Sequence, residues 1–461
     1  MVIAWIAMTI LFVVCKFLQK KLSSGQTTGI FVTLSILWGI LILLAGIFCR
    51  NNPQSFYDYG ICYDAAYEFA TTGSLSNASY FAFHPHNWKC VYVLSVIFQI
   101  GMKVGFSDPY YFLILVRLVL MEGTLYSCRY LLRKEDEEKP SDTGLFLICT
   151  VMLCLPIYAY GQAFYTDSIS ACVPMIGFAL IRYAYGDVRK KWVKYLLYFA
   201  GGMVIGFGCI MKITAAIPVI AIAFYLVIFR SRKNAIKEAG VPVILVTFGI
   251  LVMYLGSELV CSSHSWYQEG KNAGEPAISF VALGLKGDGS YIENQEFKNA
   301  LAAQGSRDAM EEFSIAYIHE NAGNFLDLDH VRRKMQTNYA SGNLGASDFA
   351  NYPYEGENNL LNELFYSYGT LYWYGCKYCL IYQFQLYLVM LLGGIVYLYD
   401  IYRKKKPDPW MVIAPLSFIG CFVFLFFWEA NNRQLYNQMP VLILGYVVSM
   451  GYIGNRRRIS K

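Results

Sequence analysis

The chain has 461 residues, of which 56% are hydrophobic and only 15% are charged. Its apolar runs recur from the N-terminus to the last few residues, a composition typical of a polytopic membrane protein rather than of a water-soluble domain. The net charge of +6 predicts no nucleic-acid partner, because Lys and Arg cluster in short segments between apolar runs, where they set membrane orientation.

Eleven apolar runs are long enough to cross about 30 Å of hydrocarbon. We predict membrane-spanning helices over 2–18, 29–49, 110–131, 143–163, 165–184, 194–211, 213–230, 240–261, 380–399, 409–428 and 434–453. The first run lacks the small-residue cleavage site of a signal peptide and is followed by Lys20 and Lys21, so we predict a retained anchor. The predicted fold class is an all-α bundle of about 11 transmembrane helices.

A shorter apolar run, 91–104, decides the predicted topology. If it is not a full span, every strongly basic segment falls on one side of the membrane, as the positive-inside rule requires: 19–21, 129–139, 182–194, 229–237, 402–406 and 455–461. We therefore predict that 91–104 lies in the outer interface or dips partly into the membrane. The alternative is a short span in which Lys103 snorkels towards the headgroups.

This topology places two segments outside the cytoplasm, 50–109 and 262–378, in a multi-pass protein of the plasma membrane. The predicted domains are a membrane bundle over 1–261 that includes the first outer loop, a large outer loop region over 262–378, and C-terminal transmembrane helices over 379–461. The large loop holds 15 Asp and Glu against 8 Lys and Arg, as expected for a solvated segment. Within it, the composition of 295–322 predicts a single periodic helix.

The first outer loop contains a predicted amphipathic helix that begins just after Asp58. Ile61, Ala65 and Phe69 recur at helical spacing, and Gly73 stands where a C-cap is expected. The positive end of a helix keeps a nearby carboxylate ionised, and an ionised carboxylate at the membrane surface can act as a general base towards a hydroxyl. The alternative is that Asp58 only caps the helix.

Further candidate residues lie within or at the outer ends of predicted spans. An acid near bilayer depth costs about 2.5–3.5 kcal/mol on insertion scales, which makes Asp167 a functional candidate, with an interfacial cap as the alternative. Arg117, Lys212 and Arg433 would lie at the level of a lipid phosphate, which such cations stabilise as a leaving group. The alternative for each is snorkelling or ion pairing. His84 could contact a phosphate or a hydroxyl.

No motif in the chain specifies a metal or a nucleotide. There is no phosphate-binding Gly-rich loop and no His-Glu-x-x-His sequence. His84 and His86 lack further ligands, and Cys376 and Cys379 lack a second cysteine pair. We predict no metal ligands and no cofactor, with a requirement for a divalent metal left open.

The order of these elements resembles the membrane-embedded glycosyltransferases of the GT-C fold, in particular the family of the aminoarabinose transferase to lipid A and the bacterial relatives of protein O-mannosyltransferases. That family opens its first outer loop with Asp-Glu, continues as an interfacial helix to a Gly, and reaches a Lys/His-Pro motif and a second interfacial helix. The matching positions here are Asp58, Gly73, His84, Pro85 and Gly105.

Later motifs of the family are matched in the same order by Arg117, Tyr165, Asp167, Met211, Lys212, Arg433, Tyr436 and Pro440. The chain departs from the family at Tyr59, which replaces the second acid of Asp-Glu, and after Lys212, where the family has Gly.

The resemblance implies an inverting transfer of a sugar from a polyprenyl-phosphate-linked donor to a lipid, glycan or protein acceptor outside the membrane. Asp58 would deprotonate the acceptor hydroxyl. Arg117, Lys212 and Arg433 would hold the departing phosphate, Asp167 would orient the acceptor or the donor sugar, and His84 would position the phosphate. The alternatives are a polymerase or ligase of lipid-linked glycans, a transporter or flippase, for which no internal repeat is evident, and a non-enzymatic surface protein.

Overall fold

The computed structural model describes residues 2–53, 57–133, 143–229, 232–350, 353–356, 358–402 and 408–459. Parts of the predicted basic segments, namely 134–139, 230–231, 403–406 and 460–461, lie outside these residues. Within the described ranges the chain is helical, and the pairing of extended backbone is limited to two isolated bridges, Asn51 with Pro353 and Ser290 with Ala430.

The first half of the chain forms α1 (Val2–Lys21), α2 (Ser24–Phe48), α3 (Tyr57–Thr72), α4 (Ser79–Phe83), α5 (Trp88–Lys103), α6 (Pro109–Leu131), α7 (Gly144–Met152), α8 (Pro156–Gln162), α9 (Thr166–Gly186), α10 (Lys191–Met211), α11 (Ile217–Phe229) and α12 (Arg232–Ser262). The large loop region forms α13 (Ser265–Ala273), α14 (Ile278–Leu283), α15 (Gln295–Ala302), α16 (Arg307–Asn321), α17 (Leu328–Tyr339), α18 (Ala346–Phe349) and α19 (Leu360–Phe365). The chain closes with α20 (Tyr372–Tyr402), α21 (Trp410–Phe427) and α22 (Met439–Ile459).

Seven helices within the described ranges are long and apolar enough to cross a membrane: α2, α6, α9, α10, Gly240–Ser262 of α12, Tyr372–Tyr399 of α20, and α21. The pair α7 and α8, bent by 73° at its junction, passes the same length and composition test only if the two helices are taken together. The other predicted spans coincide with α1, α11 and α22. The prediction of an all-α polytopic membrane protein is therefore confirmed.

The predicted span 143–163 is broken by its own sequence. Pro156 lacks a backbone N–H, and in a continuous helix its ring would clash with the carbonyl group of Met152, four residues earlier. Accordingly α7 ends at Met152, and α8 begins with Pro156 at its first position. The bend turns the chain towards α9 before the next span starts.

The predicted interfacial segment forms α5, which packs between α3 and α6. Its 16 residues rise about 24 Å, short of the roughly 30 Å of hydrocarbon that a full span crosses. The first helix of the outer loop, α3, ends at Thr72 and is followed by Gly73, whose φ of 75° is the left-handed conformation expected at a helix C-terminus. Asp58 lies in the first turn of α3, one residue inside the helix rather than just before it.

Three of the membrane helices pack with their backbones in contact. A Cβ atom at Gly202 of α10 would lie 2.2 Å from the carbonyl oxygen of Val246, and one at Gly249 of α12 would lie 2.3 Å from that of Phe199. Small residues permit such close approach between membrane helices. Gly177 of α9 packs against Gly201 of α10 in the same way, so the positions of α9 and α10 are closely fixed relative to each other.

The segment 262–378 packs on one end of the bundle, which we call the loop side. The single helix expected over 295–322 is instead two helices, α15 and α16, separated at Gly305, whose φ is 74°. Leu283, Phe297, Leu301 and Met310 form a small core of their own beneath these helices.

Candidate functional site

A buried ion cluster lies where the loop-side ends of α9, α10 and α22 meet. Asp167, in the first turn of α9, is completely buried. Lys212, which caps the C-terminus of α10 in extended conformation, forms an ion pair with Oδ1 of Asp167. Arg433, in the 3₁₀ turn before α22, places Nη1 3.6 Å from Oδ2. A buried carboxylate requires such partners, because an unpaired buried charge is strongly destabilising.

A second carboxylate reaches the same guanidinium from the large loop. Asp348 Oδ2 lies 3.0 Å from Nε of Arg433. The approach depends on Gly345, whose φ is 78° and whose added Cβ would lie only 2.0 Å from Cγ of Arg433. Burial raises the pKa of Asp348 and the Arg433 charge opposes that rise. The sequence analysis missed Asp348, because no motif distinguishes it from the other acids of the loop.

Asp58 is held by a chain of hydrogen bonds that leads to the start of α9. Tyr80 donates its hydroxyl to Oδ1 of Asp58 at 2.8 Å. Asn87 Nδ2 donates to the Tyr80 hydroxyl at 2.7 Å, and the Tyr165 hydroxyl donates to Asn87 Oδ1 at 3.1 Å. Burial and the charge of Asp58 raise the pKa of Tyr80, so the phenol stays protonated and acts as the donor. Tyr80 was also missed from the sequence.

Tyr59, which stands where the resembling family has a second acid, is directed towards α9 and α18. It is buried and packs edge-on against Tyr165 and Phe349, each with ring centroids 6.0 Å away. Its hydroxyl accepts from the backbone N–H of Phe164 at 3.4 Å. The side chain therefore joins α3 to α9 and α18 and takes no carboxylate-like position beside Asp58.

His84 lies against a buried acid of the large loop. Its Nδ1 is 3.5 Å from Oε2 of Glu275. Lys298 pairs with Oε1 of the same carboxylate, and Ser279 donates to it at 2.7 Å. Burial lowers the pKa of His84 to about 4, and the Lys298 charge acts in the same direction. His84 is therefore neutral near pH 7 and offers hydrogen bonds rather than charge.

Arg117 is not brought together with the other predicted cations. It is 1% exposed. Its Nε donates to the Tyr160 carbonyl at 3.3 Å, and Nη1 donates to the Ser168 carbonyl at 2.6 Å and to Cys172 Sγ at 3.2 Å. Nη2 donates to the hydroxyl of Tyr436, whose ring stacks on Tyr160 with centroids 3.5 Å apart. The side chain thus joins α6 to the first turns of α9 and to Tyr436, and it lies apart from the ion pairs of Lys212 and Arg433.

Asp58 lies within electrostatic range of the ion cluster. Its hydrogen-bond chain ends at Tyr165, whose ring centroid is 5.8 Å from Cζ of Arg433, and the Asp58 charge acts on Arg433. The exposed His86 is within electrostatic range of Asp58, Glu275 and Lys212. We call the region between Asp58 and Arg433 the cleft. In the part of the chain that the structure describes, no group of three or more His, Cys, Asp or Glu side chains is arranged to hold a metal ion.

Together, the helical bundle and this cleft define an all-α polytopic membrane protein with a charged site at the loop-side ends of its spans. A family model described as a conserved hypothetical integral membrane protein matches residues 1–452. The chain belongs to that family. Comparison with curated proteins finds no match.

Among solved structures, the chain is similar to the archaeal oligosaccharyltransferase AglB from Archaeoglobus fulgidus in complex with an inhibitory peptide and a dolichol-phosphate. The TM-score is 0.46 at 13% identity, covering 95% of this chain and 52% of that chain. The apo form of the Archaeoglobus fulgidus oligosaccharyltransferase gives a TM-score of 0.46 at 13% identity, over 92% of this chain and 51% of that one. The form tethered by a disulfide bond to an acceptor peptide with the NVT sequon gives 0.45 at 13% identity, over 95% and 51%. The chain spans about half the length of these structures.

Proposed function

We propose that the chain transfers a sugar from a polyprenyl-phosphate-linked donor to an acceptor hydroxyl on the loop side of the membrane. The observation that supports the proposal is that hydrogen bonds lead from Asp58 through Tyr80 and Asn87 to Tyr165, whose ring centroid lies 5.8 Å from Arg433 Cζ. Arg433 and Lys212 both pair with Asp167, so one carboxylate, Asp58, lies near a cluster of two cations. Glycosyl transfer with a phosphate leaving group needs a base at the acceptor and positive charge at the phosphate. A donor with its tail in the bilayer would present its phosphate at the ends of the spans, where these cations lie.

In the proposed reaction the acceptor oxygen attacks the anomeric carbon of the donor from the face opposite the phosphate. The bond between that carbon and the phosphate oxygen breaks with inversion, and the acceptor proton passes to Asp58. Tyr80 holds the carboxylate in place by donating to Oδ1. The phenol thereby fixes the direction of the carboxylate, which leaves Oδ2 to face the acceptor.

The phosphate that leaves is proposed to bind Lys212 and Arg433. Asp167 is buried and forms ion pairs with both cations. We therefore propose that it positions them and does not contact the sugar. Asp348 also pairs with Arg433 and is 30% exposed at its side chain. A donor phosphate would therefore compete with Asp348 for the guanidinium. We assign Arg117 no contact with the phosphate, because its Nε, Nη1 and Nη2 atoms donate hydrogen bonds to other groups of the protein.

His84 is proposed to orient bound groups as a neutral hydrogen-bonding side chain. The predicted basic segments favour an orientation with the cleft on the extracytoplasmic face of the plasma membrane. The donor must reach the cleft through the membrane lipids, and the acceptor class, whether lipid, glycan or protein, is to be identified by the product.

The test is to supply membranes containing the protein with a panel of radiolabelled polyprenyl-phosphate sugars and to identify the labelled product and its anomeric configuration. We expect transfer from one donor with inversion. Asp58→Asn should slow transfer by about 10²–10⁴-fold, the usual contribution of a general base. Asp64→Asn, on the exposed face of the same helix, is the matched control and should transfer normally.

Transfer by Asp58→Asn at the rate of the control would refute the assignment of the base. Transfer only from lipid-linked oligosaccharides would instead favour the polymerase or ligase. Translocation of labelled lipid without a new glycosidic bond would favour the flippase, and the absence of both, with normal insertion, would favour a non-enzymatic role.

A further inference from the structure

A short part of the large loop carries two leucines that are almost fully exposed. Leu326 is 86% exposed and Leu328 is 83% exposed. Asp327, between them, is used by the protein itself, because its Oδ1 accepts the backbone N–H of Asp329 at 2.9 Å and so caps the N-terminus of α17. The carboxylate is thus turned to the helix end while the two apolar side chains project from the surface.

This loop sits at the end of a membrane-spanning helix. Phe325, the residue before Leu326, stacks on Phe426 with ring centroids 5.6 Å apart and packs edge-on against Phe427 at 5.1 Å. Phe426 and Phe427 are the last residues of α21, which is long and apolar enough to cross a membrane. The two leucines therefore emerge where α21 leaves the bilayer on the loop side.

The exposed face of α21 leads directly to this point. Ile419, Phe422, Val423 and Phe427 are all exposed and recur at the spacing of one helix face. Exposed apolar side chains along one face of a membrane span contact lipid, since lipid is the only apolar medium available to them. The contact between Phe427 and Phe325 makes Leu326 and Leu328 a continuation of that lipid-facing stripe.

The loop is also fastened to the protein on its inner side. Lys334 donates to the carbonyl oxygens of Phe426 at 2.9 Å and Gly284 at 2.7 Å, and Asn324 Nδ2 donates to the Leu285 carbonyl at 2.9 Å. These bonds tie the segment on each side of the leucines to α21 and to the loop after α14. The leucines are consequently held at the edge of the bundle.

Other residues mark the same level as the membrane interface. Tyr368, Trp373 and Tyr374 are exposed at the loop-side start of α20, and exposed Tyr and Trp side chains concentrate at membrane–water interfaces. In the first turns of α17, Arg332 and Arg333 are exposed. Guanidinium groups at this level face the phosphates of lipid headgroups.

We propose that Leu326 and Leu328 insert into the acyl region of the loop-side leaflet and anchor the large loop to the bilayer surface beside α21. The partner is the phospholipid bilayer itself. The proposal does not depend on sugar transfer. It is tested by whether these two side chains lie in lipid or in water.

The test places a nitroxide at Leu326→Cys, Leu328→Cys and, as the matched control, Asp329→Cys in the full chain reconstituted into phosphatidylcholine–phosphatidylglycerol vesicles. Position 329 follows Leu328 directly and shares any motion of the loop. Its native side chain is a charged carboxylate that is 73% exposed and pairs with Arg332. The wild-type chain treated with the same reagent gives the background from native thiols. Collision rates with oxygen, which concentrates in lipid, and with a nickel chelate, which stays in water, are then compared.

We expect the ratio of oxygen to nickel collisions to be several-fold higher at 326 and 328 than at 329. Equal ratios at all three positions would place the leucines in water and overturn the proposal. Protection from both agents at 326 and 328 would show that protein, such as a second copy of the chain, covers them, and would overturn it equally.

Discussion

Replacing Asp167 with Asn tests how the ion cluster contributes to stability. Asp167 is completely buried, and the side chains of its partners Lys212 and Arg433 are only 16% and 11% exposed. Asn preserves the volume but removes the charge, so Arg433 keeps its ion pair with Asp348 while Lys212 loses the carboxylate with which it pairs. Removing one member of a buried ion pair costs about 3–5 kcal/mol, because the other member stays buried and uncompensated. We expect Asp167→Asn to lower the free energy of unfolding by that amount.

The assay is equilibrium unfolding of the purified protein in mixed micelles, followed by tryptophan fluorescence. Asp108→Asn is the control, since Asp108 pairs with Arg50 at 2.6 Å but is 34% exposed. Arg50 is only 11% exposed, but its guanidinium also lies 3.9 Å from the ring centroids of Tyr110 and Tyr354, contacts that the replacement leaves in place. Asn at position 108 can still cap α6, where Asp108 accepts from the backbone N–H of Tyr110. A partly exposed pair contributes only about 0–1 kcal/mol, so the control should remain close to wild type.

A double replacement separates loss of charge balance from a general packing defect. Lys212→Met removes the cation whose ion-pair partner Asp167→Asn takes away, so the double variant should be more stable than the sum of the two single losses predicts. Strict additivity, or equal destabilisation of Asp167→Asn and Asp108→Asn, would refute the conclusion that the cluster is a buried and coupled network.

Three further changes have outcomes fixed by the geometry. Tyr80→Phe removes a hydrogen bond to the Asp58 carboxylate, and because such bonds contribute about 1.5–3 kcal/mol we expect transfer to slow about tenfold or more; transfer at the wild-type rate would contradict this. The pKa of His84 is lowered to about 4, below its ordinary value of about 6.5, so its contribution to stability should be constant above pH 6.5 and fall by about 3 kcal/mol towards pH 4; His86 titrates in the same window, so His84→Asn should reduce the slope of unfolding free energy against pH by the His84 share. Gly202→Ala should destabilise by about 1–3 kcal/mol because its Cβ would lie 2.2 Å from an α12 carbonyl oxygen, whereas Gly256→Ala, with nothing within 4 Å, should be tolerated.

The spans could be predicted from sequence because a membrane helix needs a long apolar run, a local and additive property. What the sequence pattern missed were breaks caused by single residues. Pro156 splits one predicted span, and Gly305 splits the helix expected over 295–322. Both residues stand in the sequence, but hydropathy averaged over a window of residues does not detect a single Pro or Gly. Whether such a residue breaks a helix also depends on whether neighbouring helices stabilise the bend.

The site was partly predictable for a related reason. Membrane sidedness alone placed Asp167, Lys212 and Arg433 at the same end of the bundle, and the structure brings them into contact. Sidedness does not say which way a side chain faces, and so the sequence did not distinguish Arg117, which turns into the core. Asp348 contacts a residue far along the chain, and such pairing follows from tertiary packing rather than from local pattern.

The contact between Asp348 and Arg433 joins the large loop to the membrane bundle at the cleft itself. The loop backbone approaches so closely at Gly345 that no other residue fits there without moving Arg433, and the Asp348 carboxylate occupies one side of the guanidinium. An anion that binds Arg433 from the cleft must share or displace that carboxylate. Binding of a phosphate and the position of α18 are then thermodynamically linked, and by reciprocity any change that loosens α18 strengthens the binding of the anion.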